Sequence, residues 1–457
     1  MRAAARWPAP QSLAALRERE LHTFEGAHPR AAALTKQSEL HWQGGVPFHW
    51  MRDWPLPYPV FVRDAIGATL HDVDGYSYDD FCLGDTGAMF GHSPPPVARA
   101  LAQQSAQGLT AMLPGERVAA IGKALTAHFG LPCWQMTQTA TDANRSVLRL
   151  ARAVSGRSEV LVFDGCYHST VDETLVCLVD GQPRARSGLR GPPADAAAHT
   201  RIVEFNDLPA LAAALADGKV AAVLCEPALT NMGMVLPQPG FHAELRRLTR
   251  EHGTLLIIDE THTLSAGPGG YTRQHGLEPD MLVCGKAIAG GMPCAVYGMS
   301  AATRAAVEAM PANAEHGHSG LGTTLSANLL ALAALEACLR KVMTDAAFAH
   351  MEAQAFRLES GLTALAATRS LPWHVQRIGA RVELGFGASP ARNGRESAAA
   401  MHPELERTLH LYLLNRGVLL TPFHNMMLLS PQTAPAAVDR LLTHLGAALD
   451  ELGPVHT

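Results

Sequence analysis

Two residues of opposite charge close two apolar runs: Asp259 ends "TLLIID" and Lys286 follows "DMLVCG". They stand 27 positions apart, on strand-like segments linked by one crossover. In an open parallel sheet, ligands gather outside the carboxyl ends of the strands, so an acid and an amine reach the same rim. An amine there can attack a carbonyl carbon. Arginine could not replace it, because arginine neither releases its proton nor forms an imine. The chain has 32 arginines and only five lysines, at 36, 123, 219, 286 and 341. A GC-rich coding bias accounts for that background, and Lys286 stands out against it. A buried structural ion pair accounts for the same two residues equally well.

Other stretches narrow the choice. "QMTQTATDAN" (135–144) has a strand-like start, a turn of small hydroxyl residues and the opening of a helix. Backbone N–H groups at Thr139, Ala140, Thr141 and Asp142 would cradle a phosphate there; an ordinary helix cap uses the same residue types. "FDGCYHS" (163–169) brings Tyr167 and His168 to the end of another run, with the tyrosine ring either core or a stacking platform. Glu226 ends "VAAVLCE". A phosphate cradle, an aromatic for a ring face, a carboxylate for a pyridine nitrogen and a lysine for an imine together fit one cofactor, pyridoxal 5'-phosphate.

The elements that must position these groups follow from hydrophobic pattern. Residues 11–38 read as helix, and 61–81 as two short strands about the turn Asp74-Gly75. From about 96, Ala-rich helical stretches alternate with the continuous apolar runs 159–165, 220–227, 254–261 and 280–286. Such runs are strands buried on both faces, the mark of a mostly parallel sheet in an α/β domain. Helix is expected over 324–366, 403–416 and 434–452, and strands at 382–386, 417–422 and 426–430. The Gly/Pro/Arg-rich 181–198 reads as a loop that could act as a lid. The division this implies is an N-terminal segment, 1–90, contributing to a small domain, a large cofactor-binding domain, 91–335, and a C-terminal small domain, 336–457.

The bulk numbers agree with a globular enzyme. At 457 residues and 47% hydrophobic, the chain can bury a large core. A net charge of −5 and the absence of any basic run argue against a nucleic-acid partner. The eight cysteines show neither a paired CxxC nor a Cys/His metal spacing, so we expect free thiols in a reducing compartment, a cytoplasmic protein and no metal. No stretch reads as a signal peptide or a membrane span.

From about 40 to 450 the chain resembles the class III (omega-type) aminotransferases and the related glutamate-1-semialdehyde aminomutases. The resemblance rests on "TATDAN" (139–144), "YHS" (167–169), Asn206-Asp207, Glu226-Pro227, "LLIIDET" (255–261), "CGKAIAGGMP" (284–293) and "GTTLSAN" (322–328), in that order. It implies the aspartate-aminotransferase-like fold, fold type I of this cofactor's enzymes, with a mostly parallel seven-stranded sheet and a smaller α+β domain built from both chain ends. Carried over residue by residue, it implies that Lys286 forms the Schiff base and moves the proton, and that Asp259 holds the pyridine nitrogen. Ala140 and Thr141 would bind the phosphate, with Thr323 reaching it from the partner subunit of a homodimer. Tyr167 would stack on the ring, Glu226 would support the site, and His262 would contact the ring's phenolic oxygen. Ala140 and Ser169 stand where the family has glycine, and Asn231 where many omega-type enzymes carry a glutamate.

A substrate carboxylate calls for a guanidinium fork, and Arg52 and Arg381 are the candidates. His424 and Asn425 in "TPFHNMMLLS" (421–430) could add polar contacts or simply shape a turn. The expected reaction moves an amino group between an amino acid or amine and a keto acid or aldehyde; an intramolecular 2,1-aminomutase is the alternative.

Overall fold

The computed structural model describes residues 7–191, 197–310 and 319–454. At its centre is a seven-stranded sheet in the spatial order Cys133–Thr137, Ala295–Met299, Met281–Cys284, Leu255–Asp259, Val220–Cys225, Glu159–Phe163, Thr200–Val203. Only Ala295–Met299 runs against its neighbours; the other pairings are parallel. Val220–Cys225 and Met281–Cys284 are buried at every position, which is why they read as unbroken apolar runs. Thr200–Val203 and Ala295–Met299 were not foreseen from the sequence.

Several expectations are refined. Residues 11–38 form two helices, Pro10–Ala27 and Pro29–Ser38, with His28 at φ −121° between them. The residue before a proline is pushed out of the helical region, so Pro29 sets the break. The 181–198 loop is partly strand: Gln182–Ala185 pairs antiparallel with Val176–Val179. Its residues 192–196 lie outside the described residues.

The two chain ends meet. Val418–Leu419 adds in parallel to Ser77–Asp80, extending the sheet begun by Val62–Ile66 and Thr69–Asp72. Leu13, Leu16 and Phe81 share one core with Leu358, Leu409 and Leu441. A second small sheet, His374–Ile378, Arg381–Gly385 and Met426–Leu428, docks on the large one. There the Ala380 N–H donates to the Ser265 carbonyl at 2.9 Å, three residues beyond His262.

Candidate active site

Lys286 sits two residues past the strand Met281–Cys284, at φ +50°. Gly285 is required just before it. A Cβ at 285 would come within 2.9 Å of the Ala140 Cβ, so the start of the helix Ala140–Ser155 lies directly against the lysine turn. The alanine that replaces the family's glycine at 140 is accommodated on the same account. The Gly285 N–H donates to the Thr261 hydroxyl at 3.2 Å. Lys286 Nζ donates to Asp85 Oδ2 at 2.7 Å and lies 2.9 Å from His262 Nε2. Its side chain is a quarter exposed.

Asp85 was not among the residues singled out from the sequence, and neither was its neighbour Thr86. Both belong to a run of left-handed residues, Leu83, Gly84, Asp85 and Thr86, at φ +45°, +58°, +49° and +80°. For side-chain-bearing residues such backbone costs about 1–3 kcal/mol each and needs outside support. Asp80 supplies some: its Oδ1 accepts the N–H groups of Cys82 and Leu83, each at 2.8 Å. Burial opposes charge on Asp85, but the positive charges of Lys286 and then Arg381 hold its carboxyl well below the usual range.

Behind the lysine lies His262, buried on all sides. Its Nδ1 is 3.3 Å from Arg381 Nη2 and 3.5 Å from the Thr86 hydroxyl, and Arg381 Nη2 donates to Thr86 Oγ1 at 2.7 Å. Burial, and next the charge of Lys286, push the His262 imidazolium well below its ordinary range, with Arg381 adding to this, so the ring is neutral. Arg381 itself has no exposed surface, and its Nε and Nη1 have no partner among the described residues.

Asp259 is 4% exposed and accepts three N–H groups: Asn144 Nδ2 at 2.9 Å, His168 Nδ1 at 2.9 Å and Thr261 N at 3.1 Å. Burial works against its charge, but these donors, His168 foremost, take its pKa down to about 2. Glu226, from the adjacent strand, accepts the Tyr167 N–H at 3.0 Å and the Thr230 hydroxyl at 2.6 Å. Burial raises the Glu226 pKa. Its position fixes the loop that carries Tyr167, whose own hydroxyl is pushed up by burial. Ser169 follows at φ +62°, a left-handed conformation that glycine adopts without steric cost.

On the same rim, Thr139 caps the helix Ala140–Ser155 by accepting the Asp142 N–H at 3.2 Å. The N–H groups of Ala140 and Thr141 have no partner among the described residues. The sequence reading put Thr323 in the partner subunit's site. Here its hydroxyl donates to Gln138 Oε1 at 3.0 Å, beside the turn of its own chain.

Arg52 is exposed on the short helix His49–Arg52 and packs over Gly44. His424 and Asn425 are buried and have protein partners: His424 Nδ1 donates to Glu383 Oε1 at 2.6 Å, and Asn425 donates to the Leu384 carbonyl at 3.0 Å. Asp85, Thr86 and Asn144 are the polar groups that sequence reasoning missed. Asn144 lay inside a quoted motif, and its spacing on the helix from Ala140 was the available signal.

The free N–H groups at Ala140 and Thr141, the charged carboxyl of Asp259 and the amine of Lys286 fit pyridoxal phosphate. A protein-family model described as Aminotransferase class-III matches residues 51–445. A glutamate-1-semialdehyde 2,1-aminomutase from Desulfitobacterium hafniense is 33% identical over 405 residues, covering 86% of this chain and 92% of its own. A crystal structure of a glutamate-1-semialdehyde aminomutase from Pseudomonas aeruginosa PAO1 is 50% identical, with a TM-score of 0.94, over 97% of this chain and 99% of the other. A lysine-to-alanine variant of such an aminomutase from the same organism, in complex with PMP, gives a TM-score of 0.95 at 50% identity, with the same coverage. An omega-transaminase from Sphaerobacter thermophilus is 27% identical, with a TM-score of 0.83, over 92% and 97% of the two chains. The chain belongs to the class III aminotransferase family, enzymes of fold type I that depend on pyridoxal phosphate.

Proposed function

We propose that this enzyme moves an amino group within a single small amino-aldehyde, as a 2,1-aminomutase does, rather than between two molecules. Asp85 carries this reading. A 2,1-exchange passes through a molecule with nitrogen on both carbons, so the site must hold a second ammonium. A carboxylate 2.7 Å from the lysine nitrogen offers the anion for it. Asn231 is uncharged where many omega-type enzymes have a glutamate, and the relatives at 33% and 50% identity are named as aminomutases.

The cofactor supplies an electron sink that acidifies the C–H bond next to the amino nitrogen. Lys286 would hold it covalently and would carry the proton between substrate carbons. Asp259, charged at neutral pH, would hold the ring nitrogen. Ala140 and Thr141 would bind the phosphate through backbone N–H groups, and Thr323 would add its hydroxyl. Tyr167, held in place by Glu226, would serve the ring face, and His262 would serve the phenolic oxygen. Arg52 is the group for the substrate carboxylate.

The enzyme works as a homodimer. Met112 and Leu113 are 81% and 73% exposed, and they border the same hollow as Thr323. A copy of this chain covering them would close the phosphate side of the site. Sedimentation should give twice the 48.7 kDa chain mass, and Met112→Asp should lower it. Residues 1–90 and 336–457 form the small domain around the large one, 91–335. The eight free thiols, six of them buried, suit the cytoplasm.

The deciding experiment supplies glutamate 1-semialdehyde alone to the cofactor-loaded protein. Sustained turnover without any keto acid supports the mutase. A single bleaching of the visible band that only a keto acid reverses rejects it in favour of a transaminase. Lys286→Ala should retain cofactor and complete no turnover.

A further inference from the structure

The strands Leu255–Asp259 and Met281–Cys284 pair in parallel as far as Asp259 and Val283, and the Glu260 N–H adds one more rung, to the Val283 carbonyl at 2.7 Å. The next rung of a parallel ladder would run from the Gly285 N–H to the Glu260 carbonyl. That carbonyl is taken: it accepts the Leu264 N–H at 2.8 Å and closes the turn that follows the acid. The missing rung is made by a side chain instead. The buried Gly285 N–H donates to the Thr261 hydroxyl at 3.2 Å.

Thr261 also reaches the acid. Its own N–H donates to Asp259 Oδ1 at 3.1 Å and is the donor on that oxygen among the described residues, because Asn144 and His168 both go to Oδ2. The Gly285 carbonyl accepts the Ile288 N–H at 3.2 Å, so the Gly285 backbone is held at its N–H and at its carbonyl, just before Lys286. Lys286 is left-handed at φ +50°, a backbone that costs about 1–3 kcal/mol in a residue with a side chain and needs outside support.

We propose that Thr261 is a positioning residue that ties the acid and the amine of the site to each other: its main chain orients the Asp259 carboxylate, and its side chain holds the turn that presents Lys286. It acts on the amine through the Gly285 backbone and not through the reacting atoms. Without the hydroxyl, a buried N–H has no partner and the left-handed lysine loses a support. Lys286 then departs from the position it holds relative to the ring nitrogen's partner, and small misplacements of a reacting group are costly in rate.

The test compares wild type with Thr261→Val, which keeps the shape and removes the acceptor, and Thr261→Ser, which keeps the acceptor. Cofactor-free full-length protein is mixed with pyridoxal 5'-phosphate, and growth of the visible band is followed. This needs no substrate, so it stands apart from the mutase question. At saturating cofactor the valine variant should form the band about tenfold more slowly, with the half-saturating concentration little changed. The serine variant should stay close to wild type. In the loaded protein, the pH at which the visible band titrates should move in the valine variant and not in the serine one. Thr261→Ala gives the same comparison if the valine variant does not accumulate. A hydroxyl-free variant that loses folding stability in urea but keeps the wild-type rate and pH midpoint overturns the proposal, since the hydroxyl would then only satisfy a buried donor. So does a serine variant as slow as the valine one.

Discussion

Replacing Asp259 by Asn tests the electrostatic centre of the site. Its pKa falls from 3.8 to about 2 in the folded chain. At about 1.4 kcal/mol per tenfold change, that is about 2–3 kcal/mol in favour of the folded, charged form. Solvent screening takes little of it away, because the residue is 4% exposed. A depressed carboxyl pKa stabilises above the unfolded value, near 4, and the benefit is lost as pH falls toward 2. The amide also brings N–H groups where Asn144 and His168 already donate, so one of these contacts becomes donor against donor. His168, whose other ring nitrogen already lacks a partner among the described residues, then loses its counter-charge. Urea unfolding of cofactor-free Asp259→Asn at pH 7 should show a loss of about 2–3 kcal/mol that shrinks as the pH is lowered through 4. Turnover of the loaded enzyme should fall about 10²–10³-fold. Equal stability at pH 7 together with full turnover would refute the assignment.

Two more substitutions follow from local geometry. Burial raises Glu406 from 4.5 to about 7, so the folded chain holds that proton more tightly than the unfolded one. Stability from it is complete below about 4.5 and drains away as pH rises to about 7; Glu406→Gln should match wild type at pH 4.5 and exceed it at pH 8 by up to about 3 kcal/mol in the unfolding midpoint. Ser169→Gly relieves a left-handed serine at φ +62°. Thermal denaturation should show a gain of up to about 1 kcal/mol, and a lower midpoint would mean that the serine side chain is itself a needed contact.

How much of this was legible depends on how local each signal is. Asp259 and Lys286 end strands buried on both faces, and such strands read as unbroken apolar runs, so the acid, the amine and the core of the sheet could be placed from the sequence. Thr200–Val203 is a short edge strand, and Ala295–Met299, though buried throughout, is entered through a Gly/Pro-rich turn and carries Gly298 inside it, which interrupts the apolar run. Asp85 was out of reach for a different reason. It meets Lys286 across 201 positions, and a left-handed run in which three of four residues are not glycine carries no compositional mark. Arg381 was picked as one arginine among 32, for its charge. Its contact with Thr86 spans 295 positions, and only the fold reveals that it turns inward.

The strain at Leu83–Thr86 and the burial of Arg381 explain one another. A threonine at φ +80° would not hold its place by itself. Asp80 fixes the start of the run and the guanidinium fixes its end, so Thr86 is clamped from both sides. The clamp is contributed by the small sheet, which also donates the Ala380 N–H to Ser265 beside His262. The loop, the ring and the lysine are thereby registered by the docking of that sheet. A shift of the hairpin His374–Gly385 by one ångström would lengthen the Arg381 contacts before it touched Lys286 directly. The two groups in contact with Lys286, Asp85 and His262, are therefore tied to the seating of the C-terminal segment, although Asp259 and Lys286 both stand at the rim of the large sheet.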